Sequence, residues 1–233
     1  MEQQGMTAPS NPRVLILYYS FSGQTTGLLH HLGLGLKNQG IDVTVEKVRP
    51  QDPPRFPVGA ILPTLAMMVT TTLRQRLPIK EPDPAVWADY DLLILAGPTW
   101  SYNPSGPILD LIDRYGPRLF RNRQVLPLIS CRGYWRLHWW GLRILLRRCG
   151  AQVTNRIIFS HPAPEPWRTI GAFLKIAGRA PERSRLIGRY YKRFGHSKEQ
   201  LAEAELLGEM LGAALAKHQP LAELNLQSLI ASP

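Results

Sequence analysis

The pattern of apolar and polar positions divides this chain into strands that alternate with helices. Apolar runs rich in β-branched residues predict strands, and apolar positions three or four residues apart predict helices. The predicted strands lie at 14–19, 41–46, 91–96, 125–129 and 153–159, and the helices at 24–38, 106–115, 135–149 and 197–217. This alternation predicts a doubly wound α/β fold with a five-stranded parallel sheet.

Two stretches depart from this alternation. Residues 49–84 are rich in proline, and their apolar middle, 56–77, predicts a short helix packed on the sheet. Residues 160–196 form a long basic insert before the last helix, whose start is predicted by the capping-box residues Ser197 and Gln200. The second strand has polar residues at every other position, which is typical of an edge strand.

The length of the chain, 233 residues, suits a single domain with one embellishment. We expect a disordered N-terminal tail at 1–12, one domain over 13–218 that includes the insert, and a C-terminal tail at 219–233. The sequence suggests neither a secretory signal nor a membrane span, and Cys131 and Cys149 indicate neither a disulfide scaffold nor a metal site. These features favour a reduced, cytoplasmic protein.

Three of the predicted strands end in loops whose residues suit ligand binding. In doubly wound sheets, ligands bind beyond the carboxyl ends of the strands, so these loops define the candidate site. The first loop holds Ser20, Ser22, Gly23, Gln24, Thr25 and Thr26, the second holds Pro98, Thr99, Trp100, Ser101, Tyr102 and Asn103, and the third holds Ser130, Cys131, Arg132, Gly133 and Tyr134.

The first loop has the chemistry of a phosphate site. Its hydroxyl and backbone N–H groups converge at the start of a helix, where the helix dipole favours negative charge. The loop lacks the lysine that meets the β and γ phosphates in nucleoside-triphosphate loops. The sequence therefore predicts a ligand with one terminal phosphate.

These loops resemble those of flavodoxin-like proteins, over roughly residues 13–160 and the last helix. The phosphate loop of that family is matched by Ser20, Ser22, Gly23 and Thr25, and its second loop by Gly97, Pro98, Thr99, Trp100 and Ser101. The LYYS-x-SGQ and ISCRGYW elements and the Pro-rich stretch also resemble a subgroup associated with dialkylresorcinol synthesis. The resemblance implies the strand order 2-1-3-4-5 and FMN as a non-covalent cofactor.

FMN also suits these residues on chemical grounds. Neutral hydroxyl groups suit a monophosphate, and aromatic faces stack on a flat isoalloxazine ring. Trp100, Tyr102 and Tyr134 are candidates for stacking, with ordinary core packing as the alternative for each. Trp135 and Trp139 lie on an apolar helical stripe, so we expect them in the core.

Arg132 departs from the acidic surroundings typical of flavodoxins. A guanidinium beside the N1–C2=O edge of the ring would raise the flavin potential and favour two-electron chemistry, and a surface position is the alternative. Cys131 lies next to Arg132, which would lower the pKa of its thiol, although a passive role is the better interpretation.

The net charge of +11 is concentrated in one region. Residues 121–195 hold 16 Lys and Arg but only two acidic residues, a net charge of +14, and the rest of the chain is net −3. Three interpretations of the insert in this region compete: a lid over the flavin, a docking surface for an acidic protein partner, and a contact with an anionic membrane surface. No nucleic-acid-binding motif accompanies the charge.

The sequence thus favours an FMN-dependent oxidoreductase that uses NAD(P)H or a quinone. A single-electron carrier and a flavin-less accessory protein of lipid or resorcinol biosynthesis remain as alternatives. We expect small-molecule electron donors and acceptors, a location in the cytoplasm with the inner membrane surface as an option, and a homodimer as a further option.

Overall fold

The computed structural model describes residues 11–228 and 230, so most of the predicted N-terminal tail lies outside it. The strands are β1 (Arg13–Tyr18), β2 (Asp42–Lys47), β3 (Leu92–Trp100), β4 (Asn103–Pro104), β5 (Val125–Cys131) and β6 (Ile157–Ser160). The α-helices are α1 (Gln24–Asn38), α2 (Ile61–Thr72), α3 (Gly106–Phe120), α4 (Trp135–Arg148), α5 (Trp167–Ile176) and α6 (Lys198–Ala216).

Five parallel strands form the central sheet, in the order β2-β1-β3-β5-β6. The predicted doubly wound sheet with the order 2-1-3-4-5 is therefore confirmed, and β2 is an edge strand. The short strand β4 was not predicted, because two residues are too few for a periodic pattern; it pairs antiparallel with the end of β3. The last parallel strand begins at Ile157, four residues later than predicted.

Pro127 is tolerated in β5 because its missing N–H falls in a gap in the ladder. The N–H of Val125 donates to Gln152 O on the side of β6, and successive N–H groups of a strand point to opposite sides. The backbone nitrogen of Pro127 therefore faces the side of β6, like that of Val125. No strand lies beside Pro127 on that side, because the pairing of β5 with β6 starts only at Leu128 and Ile157.

Helices cover both faces of the sheet. On one face, α1 and α6 pack against β1 and β3, and the glycines Gly35 and Gly208 let the two helix backbones approach closely. On the other face, α3 and α4 cover β3 and β5. Ser197 and Gln200 form the predicted capping box at the start of α6. In the part of the chain that is described, no helix combines the length and apolar character needed to cross a bilayer.

Three segments lie outside the regular alternation of strands and helices, and their packing could not be predicted in full from the sequence. Helix α2 forms within the predicted apolar stretch, but it buries only Thr64 and does not pack its apolar side chains on the sheet. The insert folds into α5 and short 3-10 turns that lie over the carboxyl ends of the strands. Beyond α6, Leu221 and Leu226 are buried against the sheet, so this part of the C-terminal tail belongs to the core.

Candidate functional site

The three strand-end loops meet at one cavity of about 90 Å³. Nine of the predicted site residues line it: Ser22, Gln24, Thr25, Pro98, Thr99, Trp100, Ser130, Cys131 and Arg132. The parallel sheet explains this convergence, because β1, β3 and β5 are neighbours and all end at the same edge.

The first loop leaves a buried hydroxyl group and a helix start without partners. Gly23 adopts a left-handed conformation with φ of 82° and precedes α1, and no side chain caps the helix. Ser20 is 9% exposed, and within the described chain its Oγ has no hydrogen-bond partner. Thr25 is buried beside the cavity, whereas Thr26 is exposed and lines a different surface groove.

The second loop differs from its prediction, because much of it continues β3 and turns into β4. Trp100 lines the cavity and contacts Tyr19 and Phe21 edge-to-face at 5.6 and 5.5 Å. Thr99 Oγ1 lies 2.7 Å from His138 Nδ1.

Ser101, Tyr102 and Asn103 point away from the cavity. The Ser101 hydroxyl pairs with Thr71 Oγ1 at 2.7 Å, and Asn103 Nδ2 donates to the backbone oxygens of Thr71 and Thr72. These two residues therefore anchor α2. Tyr102 is 47% exposed and contacts Tyr134 at 5.4 Å. None of the three lines this cavity, but Ser101 and Tyr102 line a second cavity of about 130 Å³, whose wall also includes Thr99, Arg132 and Tyr134.

Ser130 belongs to a buried chain of hydrogen bonds that the sequence pattern did not reveal. Its Oγ lies 2.8 Å from His196 Nε2, and His196 Nδ1 lies 3.1 Å from Gln200 Oε1. Gln200 Nε2 donates to Ser160 O, so its Oε1 is an acceptor and His196 Nδ1 is the donor. His196 Nε2 then accepts from Ser130, whose oxygen lone pairs stay available to a ligand donor.

Burial keeps His196 neutral within this chain of hydrogen bonds. It lowers the pKa of His196 to about 4, and the nearby Arg193 acts in the same direction. Since a neutral imidazole has one donor and one acceptor nitrogen, the hydrogen-bond pattern is stable at neutral pH.

Arg132 and Cys131 both line the cavity, and burial shifts the pKa of each side chain. Arg132 is half-buried at the cavity, and burial lowers the pKa of its guanidinium from the ordinary value. Burial also raises the pKa of the Cys131 thiol, and this effect outweighs the expected lowering by Arg132 and a similar one by Arg168. Cys131 Sγ lies 3.5 Å from Ser160 Oγ, which suits a passive core residue.

Gly133 and Tyr134 lie beside the cavity rather than in it. Gly133 has φ of 129°, and a Cβ at this position would lie 2.5 Å from the guanidinium of Arg168. The insert thus covers the third loop with Arg168. Tyr134 is 43% exposed and does not line the cavity.

Six further residues complete the wall of the cavity: Phe21, Phe56, His161, Ala172, Ile176 and Phe194. Phe56 comes from the Pro-rich stretch and Phe194 from the insert, and their rings stack at 5.5 Å with an interplanar angle of 17°. Phe21 contacts Phe56 edge-to-face at 5.1 Å. Apolar residues interleaved with the basic ones were the only signal in the insert, and they did not indicate which would face the site.

The residues fit the two ends of FMN unequally. The unpartnered Ser20 hydroxyl and the uncapped start of α1 suit a phosphate group. The volume of about 90 Å³ is well below the ~300–1,000 Å³ of typical ligand pockets, and the Phe56–Phe194 stack forms part of the wall. A flavin ring does not fit a cavity of this volume, so FMN binding requires side chains of the wall to move apart.

Comparison with known proteins agrees with the fold. A flavoprotein from Lactobacillus acidophilus NCFM, solved in complex with FMN, is 21% identical, with a TM-score of 0.51 over 63% of this chain and 93% of its own. A protein of Bacteroides eggerthii DSM 20697, provisionally described as a flavoprotein, is 18% identical, with a TM-score of 0.50 over 73% of this chain and 100% of its own.

No protein-family sequence model matches the chain. The two structural similarities lie below one-quarter identity and therefore concern the fold and not the ligand. The strand order β2-β1-β3-β5-β6 is that of the flavodoxin-like class of doubly wound sheets. The topology and the two structural relatives together show that this chain has the flavodoxin-like fold.

Proposed function

We propose that this protein binds FMN at the three strand ends and acts in electron transfer. The observation that carries the proposal is the Ser20 hydroxyl, which is buried near the uncapped start of α1 and has no hydrogen-bond partner among the described residues. An unsatisfied buried hydroxyl is costly, and a phosphate oxygen would satisfy it while the helix dipole favours the negative charge. Ser22 and Thr25 supply two further neutral hydroxyl groups.

The ring of the cofactor would lie between the ends of β3 and β5. Trp100 offers an aromatic edge, Ser130 offers an acceptor oxygen, and Arg132 offers a positive charge at the cavity wall. Binding requires that Phe56 and Phe194 separate, so the insert would act as a lid that opens for the ring and then covers it. A covered site excludes water, which favours an enzyme over an exposed electron carrier.

Bound FMN would supply hydride and electron chemistry, and the chain would supply binding and electrostatics. We propose that NAD(P)H or a quinone is the small-molecule reaction partner. Arg132 would stabilise negative charge on a reduced ring and thereby favour two-electron transfer. Turnover of NAD(P)H with a quinone by the FMN-loaded protein separates this proposal from a single-electron carrier.

Titration with FMN and with riboflavin, which lacks the phosphate, tests the phosphate site. Ser20→Ala is expected to weaken FMN binding about tenfold or more, because hydrogen bonds to charged groups contribute about 1.5–3 kcal/mol, and to leave riboflavin binding unchanged. Ser105→Ala is the matched control, since Ser105 Oγ is also buried without a partner in the described residues but lies at the start of α3.

A flavin-less accessory protein is the second candidate, and the small volume of the cavity favours it. The same titration decides between the two candidates. A colourless protein that does not bind FMN at any concentration would contradict the flavoprotein proposal. Equal weakening by Ser20→Ala and Ser105→Ala would contradict the assignment of the phosphate to the first loop.

A further inference from the structure

Helix α2 presents an apolar surface to solvent. Its side chains include Leu62 with 78% and Val69 with 59% of their surface exposed, and Leu73, directly after the helix, is 76% exposed. Only Thr64 is buried, so the apolar character of this helix is not used in the core. A contiguous exposed apolar surface of this kind marks an interaction site in a soluble domain.

This surface continues onto α4. A groove of about 440 Å³ separates the C-terminal end of α2 from α4, and Thr72 and Tyr102 line it on one side while Leu137 and Trp140 line it on the other. Leu137 is 61% and Trp140 is 65% exposed. We call this surface the α2–α4 face, and it consists of Ile61, Leu62, Leu65, Val69, Leu73, Tyr102, Tyr134, Leu137 and Trp140.

The position of α2 is held by its own backbone contacts, so its exposure does not reflect a loose segment. Ser101 Oγ donates to Met68 O at 3.1 Å, and Asn103 holds the last turn of the helix. On the other side, the N–H of Val58 donates to Ile176 O of α5 at 2.7 Å. The apolar side chains are therefore presented on a well-anchored helix.

The α2–α4 face carries no acidic side chain of its own, and the carboxylates nearest to it are paired, Asp113 with Arg76 and Glu165 with Arg168. The segments 54–80, 92–109 and 114–164, which contain α2, the β3–β4 turn and α4, hold no Asp or Glu. Arg74 and Arg148 line the groove, and neither forms an ion pair among the described residues. Two other arginines of α4, Arg136 and Arg143, stack on Trp135 and Trp139. Unpaired guanidinium groups are free to bind phosphates.

We propose that the α2–α4 face docks this protein on the surface of an anionic phospholipid bilayer. Leucine and valine side chains of α2 would enter the boundary between headgroups and acyl chains, with Trp140 and the two tyrosines at the level of the headgroups. Arg74 and Arg148 would bind lipid phosphates, each contributing electrostatic attraction near the surface.

The same charges argue against a second copy of this chain as the occupant. Pairing two α2–α4 faces would bring Arg74 and Arg148 of both copies together, and the lining of the groove holds no carboxylate to pair with them. An anionic bilayer offers both an apolar phase and complementary charge. The proposal concerns a surface outside the candidate flavin site, so it does not depend on flavin binding.

Co-sedimentation of the full chain with vesicles tests the proposal. Phosphatidylcholine vesicles with and without phosphatidylglycerol are compared at low and at high salt. We expect binding to the anionic vesicles that weakens as salt increases. The double variant Leu62→Glu, Leu73→Glu should bind about 100-fold more weakly, because it removes two apolar contacts and adds two negative charges.

The matched control is Leu206→Glu, since Leu206 is 53% exposed on α6, on the opposite face of the sheet, and its substitution should leave binding unchanged. All three positions are solvent-exposed, and far-ultraviolet circular dichroism verifies that each variant folds. Three results would overturn the proposal: no sedimentation with anionic vesicles at low salt, equal binding to both vesicle types, or equal loss in the double variant and the control. The proposal would also be overturned if the wild-type protein formed a dimer that the double variant dissociates and Leu206→Glu does not, because the face would then mediate self-association.

Discussion

Acidification from pH 6.5 to pH 4 is expected to unfold this protein because three histidines are buried in the neutral form. His138, His161 and His196 are 2%, 4% and 6% exposed. Burial is the main cause in each case, and it lowers the pKa of His138 to about 3 and those of His161 and His196 to about 4. Within the site region, Arg168 and Arg193 add positive potential at His161.

The sign of the effect follows from proton linkage. Between pH 6.5 and pH 4 the unfolded chain binds protons at these histidines and the folded chain does not, so the free energy of unfolding rises with pH in this window. Each histidine contributes about 1.4 kcal/mol per pH unit. Three of them would remove about 10 kcal/mol by pH 4, which is comparable with the ~5–15 kcal/mol stability of a typical domain.

Urea unfolding at a series of pH values, followed by circular dichroism, measures this dependence. His161→Gln should reduce the slope of unfolding free energy against pH by about 1.4 kcal/mol per unit, whatever its effect on absolute stability. Glutamine keeps an acceptor for the Ala163 N–H, which now donates to His161 Nδ1. The control is His30→Gln, at an exposed position on α1, which should leave the slope as in the wild type. A wild-type stability that is constant from pH 7 to pH 5, or a full slope in His161→Gln, would refute the reasoning.

Two further predictions concern the helix packing and the candidate site. Gly35→Ala should lower the free energy of unfolding by about 1–3 kcal/mol, because its Cβ would lie 2.0 Å from Glu205 O. Gly33→Ala should raise the free energy of unfolding by about 0.5–1 kcal/mol, because a Cβ at this position would meet no atom within 4 Å. Equal urea midpoints for the two variants would contradict the packing described. Arg132→Ala should lower the midpoint potential of the FMN-loaded protein by about 30 mV or more in a redox titration, with exposed Arg136→Ala as the control. An unchanged potential in Arg132→Ala would rule out a role for this charge.

The order and type of the main elements could be predicted because they depend on local patterns. The uncharged run of β3 and the capping box at Ser197 each lie within a few residues of sequence. The three strand-end loops were found in the same way, since the ends of neighbouring parallel strands must meet. The meeting of the strand ends predicts that Ser22, Thr99 and Arg132 lie at one site, and all three line the same cavity.

The use of individual polar residues in these loops could not be predicted, because it depends on partners that are distant in sequence. Asn103 and Ser101 suit a ligand as well as they suit the end of α2, and only the fold brings α2 beside them. The hydrogen bond between Ser130 and His196 spans 66 residues. No local pattern relates these two residues.

The sequence by itself determined the doubly wound architecture and the edge of the sheet that carries the site, and the resemblance of its loops to those of flavodoxin-like proteins implied the strand order. Periodicity specifies which side of each element is buried, and parallel pairing specifies where the strand ends meet. The tertiary structure alone decided that Phe56 and Phe194 stack in the wall of the cavity and that the apolar side chains of α2 face solvent. An apolar side chain can be buried in a core, a lid or a docking surface, and the choice depends on the neighbours that the whole fold brings to it.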